Sequence, residues 1–224
     1  MKQAMILAAG KGERMRPLTD NMPKPLLEAG GKPLLQYHLE NLSRAGVSRI
    51  VINHARHGKL IESRFGNGRA FGVEIAYSTE GETPLGTGGG IKLALPLLGP
   101  GPFIVVNADI WTDYDFLRLP AGPAGLAHLV LVDNPDHHLQ GDFCLVDGML
   151  SEQSGDRYTY SGIGVFKPEL IAACPETIFP LGPLLRAAVS RGEITGELHT
   201  RHWLDVGTPE RLSKLDHLLR GVQK

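Results

Sequence analysis

No stretch of this 224-residue chain approaches the ~20 consecutive apolar residues that a membrane-spanning helix requires. The opening MKQAMILAAGKGERMR turns charged after an apolar run too short for the core of a secretion signal, so a cytoplasmic protein without a membrane partner is expected. An excess of one charge is lacking too: 23 Lys and Arg face 24 Asp and Glu. A surface for nucleic acid is therefore not indicated, and positive charge for an anionic ligand must be gathered locally. Cysteine is scarce. Cys144 and Cys174 lie in unrelated contexts without CxxC or His-rich spacing, which indicates reduced thiols rather than a disulfide framework or a zinc site. Internal repeats and low-complexity linkers are missing as well. With 42% hydrophobic residues, the stretch 1–224 suits a single compact domain.

What the chain does have is an alternation of short β-type runs and amphipathic stretches. Residues 4–7 (AMIL), 49–53 (RIVIN), 73–77 (VEIAY) and 103–107 (FIVVN) read as strands, and helices are predicted over 34–45 and 90–98. The apolar runs lack a clean in-out alternation, as strands buried on both faces do. Their interleaving with helices predicts an α/β fold around a mixed, mostly parallel central sheet flanked by helices. Within 34–45, Leu35, Leu39 and Leu42 fall at helical spacing, and Gly46 follows where that helix should end. The second half is less regular, with strands predicted over 125–132 and 162–166 and helices over 183–190 and 209–219. In such open sheets ligands sit outside the carboxyl ends of the strands.

The strongest local pattern follows the first strand, where LAAGKGERMRPLT spans residues 7–19 and PKPL residues 23–26. Small residues around Leu7, namely Ala8, Ala9, Gly10 and Gly12, let backbone amides approach a phosphate or a base closely, while Lys11, Arg14 and Arg16 add positive charge. That combination suits a triphosphate. It is neither the dinucleotide pattern GxGxxG nor the phosphate loop ending in GK[ST], which disfavours a dehydrogenase and a P-loop ATPase. A GxG by itself is more often an ordinary turn with solvated basic residues. A second glycine-rich stretch, EGETPLGTGGG at 80–90, precedes a helical run; it permits close approach of a ligand and equally fits an ordinary flexible loop. Asp109 stands just beyond the strand 103–107, where a ligand is expected, and Mg2+ takes oxygens from one or two carboxylates plus phosphate. A capping role fits a lone aspartate there too.

The first string as a whole resembles LAAGxGxRxxPLTxxxPKPLL, the pattern of the sugar-1-phosphate nucleotidyltransferases, and matches it through Leu27 at every fixed position. The resemblance implies a Rossmann-like nucleotidyltransferase fold. It implies that residues 7–12 wrap a triphosphate and its base, that Arg14 and Lys24 bind phosphate at the reaction centre, and that Gly88 lies near the base and ribose. Asp109 then binds Mg2+, together with Asp205 from WLDVGTP at 203–209, which matches the family's WxDVGTP element. These roles are physically coherent, because attack on an α-phosphate gathers negative charge that fixed cations and a metal stabilise in place. On this reading residues 1–110 form a nucleotide-binding half and residues 111–224 a sugar-phosphate-binding half.

Substrate choice rests on the second half. Larger family members carry a Glu-Lys-Pro turn whose lysine helps bind the sugar phosphate; here the corresponding residues 132–135 read VDNP, without the lysine. That VDNP, GDF at 141–143, YSGIGVF at 160–166 and the glycine run resemble the family branch that joins UTP to N-acetylmuramate 1-phosphate. The likeness implies that Asn107, Asp142 and Gly162 line the acceptor pocket, offering an amide, a carboxylate and bare backbone. No spacing selects a partner for the lactyl carboxylate of muramate, for which Arg157 is one candidate. His137 and His138, in DNPDHH, read as a solvated loop. A sugar 1-phosphate is already ionised near neutral pH (second pKa about 6), so positioning and charge neutralisation carry the reaction and no catalytic histidine is needed. The alternatives are another sugar 1-phosphate, glucose or mannose, and a non-catalytic module that holds a nucleotide sugar; the joint presence of Arg14, Lys24, Asp109 and Asp205 argues for catalysis. Longer relatives carry a C-terminal β-helix, absent here after the last predicted helix, and a monomer is expected.

Overall fold

A computed structural model of the chain describes residues 3–222 apart from 82, 84 and 154. In chain order its elements are β1 (Gln3–Leu7), β2 (Glu28–Ala29), β3 (Lys32–Pro33), α1 (Leu34–Arg44), β4 (Arg49–His54), α2 (Gly58–Phe65), β5 (Glu74–Thr79), α3 (Gly86–Leu98), β6 (Phe103–Asn107) and β7 (Ile110–Thr112). There follow β8 (Ala127–Val132), β9 (Phe143–Val146), β10 (Met149–Ser151), β11 (Arg157–Phe166), α4 (Pro168–Ala172), α5 (Leu181–Ser190), β12 (Ile194–His199), β13 (Trp203–Asp205) and α6 (Pro209–Val222). None of the described helices is long and apolar enough to cross a membrane.

One nine-stranded sheet organises the molecule, in the order β5-β4-β1-β6-β11-β8-β12-β10-β9. The first four strands pair in parallel, and among the described strands of this sheet only β11 and β10 oppose β1 in direction. The missing in-out alternation of the apolar runs is explained by two cores. Ala4, Ile6, Ile50, Ile52, Ile104 and Val106 point to one face, where Leu35, Leu39 and Leu42 of α1 and Ile61 of α2 cover them. Met5, Val51 and Val105 point to the other, under Ile91, Ala94 and Leu98 of α3 and Leu185 and Ala188 of α5. A smaller third cluster gathers Met15, Leu27, Leu34, Val206 and Leu215. It packs the end of the glycine loop against the C-terminal helix.

Differences from the sequence reading concentrate in the second half. The predicted strand 162–166 is only the back of β11, which begins at Arg157. The strands β9, β10 and β12 carry too few alternating or β-branched positions to stand out and gain their form by pairing across the sheet. Helix α3 starts at Gly86 rather than at residue 90, so all three consecutive glycines lie inside it.

One buried polar contact ties helix α1 to the strand end that carries Asp109. His38 sits one residue before Leu39, is 1% exposed, and its Nε2 donates to the Ile110 carbonyl at 2.9 Å. A carbonyl only accepts, so Nε2 carries a proton. Burial pushes the His38 pKa down to about 4. The unfolded chain therefore takes up a proton at this residue as pH falls below the ordinary histidine value of ~6.5, while the folded chain does not. The stability from this residue is complete above that value and is lost as pH falls towards about 4. Urea unfolding should show His38 removing about 2 kcal/mol between pH 7 and pH 5, a slope missing in His38→Gln. An identical slope in that variant would assign the titration to other groups.

Candidate functional site

The strand order places four chain segments side by side at the carboxyl edge of the sheet. Glu80 follows β5, Asn53 lies near the end of β4, the glycine loop follows β1, and Ala108 and Asp109 follow Asn107, the last residue of β6. From β5 to β6 this edge spans three strand spacings of ~4.8 Å each. A cavity of about 760 Å³ opens over it, walled by the loop from Leu7 to Met15 and by Lys24, Asn53, Glu80, Gly86, Thr87, Asn107, Asp109 and Gly207. Of the predicted residues, Leu7, Ala8, Ala9, Gly10, Lys11, Gly12, Arg14, Lys24, Asn107 and Asp109 all line it.

The loop is held from below. Gly12 adopts φ +66°, and a Cβ there would stand 3.0 Å from Thr19 Cγ2. Its carbonyl accepts from Thr19 Oγ1 at 2.8 Å, and Met15, 1% exposed, anchors the following turn in the third core cluster. At the loop's other end Ala8 N–H donates to Asn53 Oδ1 at 2.8 Å, and Asn53 Nδ2 donates to Glu80 Oε1 at 2.7 Å. Asn53 and Glu80 are both buried. Neither was singled out from the sequence, because a polar residue at a strand end carries no spacing signal until the neighbouring strand is known.

The glycine run serves packing rather than an open approach to ligand. A Cβ on Gly88 would meet the Phe179 ring at 2.2 Å, one on Gly89 the Thr177 carbonyl oxygen at 2.4 Å, and one on Gly90 Glu80 Oε1 at 2.4 Å and Asn53 Nδ2 at 2.9 Å. Gly88 is buried beneath Phe179, and the cavity wall at this end is Gly86 and Thr87. The structure therefore sets Gly88 behind the wall.

At the other end Lys24, 9% exposed in its side chain, extends from a short 3-10 turn at Lys24–Leu26 and its Nζ donates to Asp109 Oδ2 at 2.8 Å. Arg14 is exposed and forms no ion pair with a described residue, and Lys11 is loosely paired to Glu13 at 3.8 Å. Asp205 reaches the site through β13, which pairs with β7 so that Asp205 lies opposite Ile110, and Val206 N–H donates to the Asp109 carbonyl at 2.7 Å. The two aspartates thus meet across adjacent strands, while their carboxylates are held by different cations: Asp205 is paired to Arg211 Nη1, with His137 Nε2 3.1 Å away. Asp205 does not line the nucleotide-sized cavity but a second one beside it.

Two acceptor candidates play supporting parts. Gly162, at φ +83°, forms the bulge of β11, where any Cβ would lie 2.6 Å from Asn107 Nδ2; it seats the Asn107 side chain. Asp142 lines neither cavity; it accepts from Tyr160 N–H at 2.9 Å and from His138 Nε2 at 3.2 Å, holding the loop before β9. Both histidines of DNPDHH lie in a loop with their side chains exposed to about two-fifths, as expected, and each also has a partner: His138 fastens Asp142, and His137 abuts Asp205 and Arg211.

Among the described residues no group of three or more His, Cys, Asp or Glu side chains gathers into a ready metal site. Mg2+ needs only one or two carboxylates when substrate phosphates complete its shell. Asp109, 42% exposed in the cavity, and Asp205 on the adjacent strand have that chemistry.

Gly90→Ala tests the polar layer under the loop. Alanine should favour the helix by ~1 kcal/mol, but a methyl 2.4 Å from the Glu80 carboxylate costs about 1–3 kcal/mol of overpacking. Net destabilisation by thermal unfolding is expected, together with weaker nucleoside triphosphate binding by calorimetry. A stabilised variant with unchanged binding would separate the layer from the cavity.

Comparison with known proteins fits this geometry. The profile of the family described as Nucleotidyl transferase matches residues 3–132. The N-acetylmuramate alpha-1-phosphate uridylyltransferase of Neisseria meningitidis serogroup B is 48% identical over 225 residues, covering 96% of this chain and 97% of that protein. That of Caulobacter vibrioides is 35% identical and covers 93% of each. The solved inositol-1-phosphate CTP transferase from T. maritima superposes with a TM-score of 0.79 at 19% identity, over 100% of this chain and 97% of that one, a likeness of fold. By its loop, its sheet edge and these relatives, the chain belongs to the nucleotidyl transferase family, among the sugar-1-phosphate nucleotidyltransferases.

Proposed function

We propose that the protein transfers the uridylyl group of UTP to N-acetylmuramate 1-phosphate, giving UDP-N-acetylmuramate and pyrophosphate. The observation that carries the reading is the Lys24–Asp109 pair at one end of a cavity whose other wall is the glycine loop with its exposed Arg14. Two relatives named for this reaction, 48% and 35% identical over nearly whole chains, support the choice of acceptor. On this reading residues 1–110 hold the nucleotide and residues 111–224 the sugar phosphate. A cytoplasmic monomer in cell-wall recycling suits such substrates.

The chemistry is a direct displacement. A phosphate oxygen of the acceptor attacks the α-phosphorus of UTP. The bond from that phosphorus to the oxygen bridging to the β-phosphate breaks, and pyrophosphate leaves with the electron pair. Glycine-loop amides and Arg14 neutralise the triphosphate, and Lys24 sits where charge accumulates on the α-phosphate. Asn53 and Glu80 fix the start of the glycine loop before substrate arrives. Bound Mg2+, held by Asp109 and Asp205, would neutralise phosphate oxygens as a Lewis acid.

Pyrophosphate release should therefore be fastest with UTP and N-acetylmuramate 1-phosphate among the common nucleotides and sugar 1-phosphates. Lys24→Ala and Asp109→Asn should each lower kcat by about 100- to 1000-fold, with the asparagine chosen to leave Lys24 an oxygen partner. Preference for another sugar would discard the acceptor and keep the reaction class. Full activity in either variant would remove that residue from the reaction centre.

A further inference from the structure

Beside the nucleotide-sized cavity lies a second one of about 370 Å³ that the reaction as described leaves unused. It is built by the DNPDHH turn after β8, the segment between β12 and β13, and the first turns of α6. Its cations come from two elements. Arg211 and Lys214, three residues apart on α6, share one helix face, and Arg201 faces them from the segment before β13.

These charges are only partly answered. Every hydrogen bond that the Arg211 guanidinium makes to a described residue leaves through Nη1, to Asp205 and His137, so Nε and Nη2 remain available. Arg201 uses Nε on Asp113 at 3.1 Å and is 74% exposed, and Lys214 forms no ion pair with a described residue. Asp133 and Asp136 also line the cavity, so a ligand must offer a group that chooses the cationic side.

The wall between the cavities is the acceptor's own ground. Asp205 and Trp203 line the second cavity, Trp203 Nε1 donates to the Ser161 carbonyl at 2.9 Å, and the next residue, Gly162, seats Asn107, which lines the first. The two cavities adjoin along one short segment, since Asp205 lines the second, Gly207 lines the first, and Val206 between them donates its N–H to the Asp109 carbonyl. Arg157, the candidate from sequence, is instead turned to Glu152 at 3.3 Å and the Asp142 carbonyl at 3.2 Å, away from both cavities.

Resting on the proposed acceptor, we infer that the second cavity is a carboxylate subsite in which Arg201 and Lys214, beside Arg211, read the lactyl carboxylate of N-acetylmuramate 1-phosphate. The same cations suit a phosphate, and the choice of acceptors separates the two. N-acetylglucosamine 1-phosphate has the same phosphate and N-acetyl group with a hydroxyl in place of the lactyl ether.

The experiment compares kcat and KM for both acceptors with UTP in the wild type, Arg201→Gln, Lys214→Gln, the double variant and Lys214→Arg. The wild type should prefer N-acetylmuramate 1-phosphate. The double variant should lose about tenfold of that preference, the scale of one charged hydrogen bond, through KM with kcat kept. N-acetylglucosamine 1-phosphate turnover should not change, and Lys214→Arg should retain the preference. An equal loss on both acceptors would assign the cations to the phosphate or the fold, and an unchanged ratio would empty the cavity of this role; either overturns the subsite. Should the wild type turn over neither acceptor, the uridylyl reading falls by itself. Calorimetry with unphosphorylated N-acetylmuramate and N-acetylglucosamine still decides: tighter N-acetylmuramate binding that disappears in the double variant supports the subsite, and equal binding of the two sugars refutes it.

Discussion

The site depends on one ion pair between groups 85 residues apart, Lys24 and Asp109. The Lys24 side chain is 9% exposed, and an ammonium so placed is costly unless a carboxylate answers it. The short turn bearing Lys24 is thereby bound to the tip of β6, and the loop before it is stretched across the carboxyl ends of β1 and β4. On the proposed reading, the same pair keeps a cation and a carboxylate together in the cavity that receives the phosphate charges. Substrate then meets charges already in place, and little reorganisation is left for the reaction itself.

A second constraint works from beneath. The chain Ala8 N–H to Asn53 to Glu80 is a buried polar layer between the glycine loop and helix α3. It exists only because Gly90 brings no side chain into it. Three glycines inside a helix lower its intrinsic stability by ~1 kcal/mol each against alanine. Packing against Phe179, Thr177 and Glu80 offsets that cost, since each glycine stands where a Cβ would collide. The run looked from sequence like ligand approach because flexibility and close packing call for the same residue.

Much of the first half was legible. The strand 103–107 appears with the predicted bounds, and the loop after β1 lines the cavity residue by residue. Both were written locally, in unbroken apolar runs and in a long motif. Asp109 and Asp205 were readable as motif residues, yet their partners were not, because Lys24, Arg211 and His137 reach them only through tertiary pairing. The turn DNPDHH has the polar composition of a solvated loop, and only the return of α6 past it turns His137 into a cavity wall. Asp142 illustrates the reverse: the family resemblance implied a place in the acceptor pocket, whereas its carboxylate accepts from Tyr160 N–H inside the bulged strand β11.

In the proposed reaction fixed charges position two phosphates for a single displacement, and no side chain of the cavity takes the uridylyl group itself. The stereochemistry at the α-phosphorus tests this most directly. UTP carrying a chiral thiophosphate at the α-position would be turned over with N-acetylmuramate 1-phosphate and the product configuration read by phosphorus NMR. One in-line displacement predicts inversion. Retention would require two displacements through a covalent nucleotidyl-protein, and would refute direct displacement.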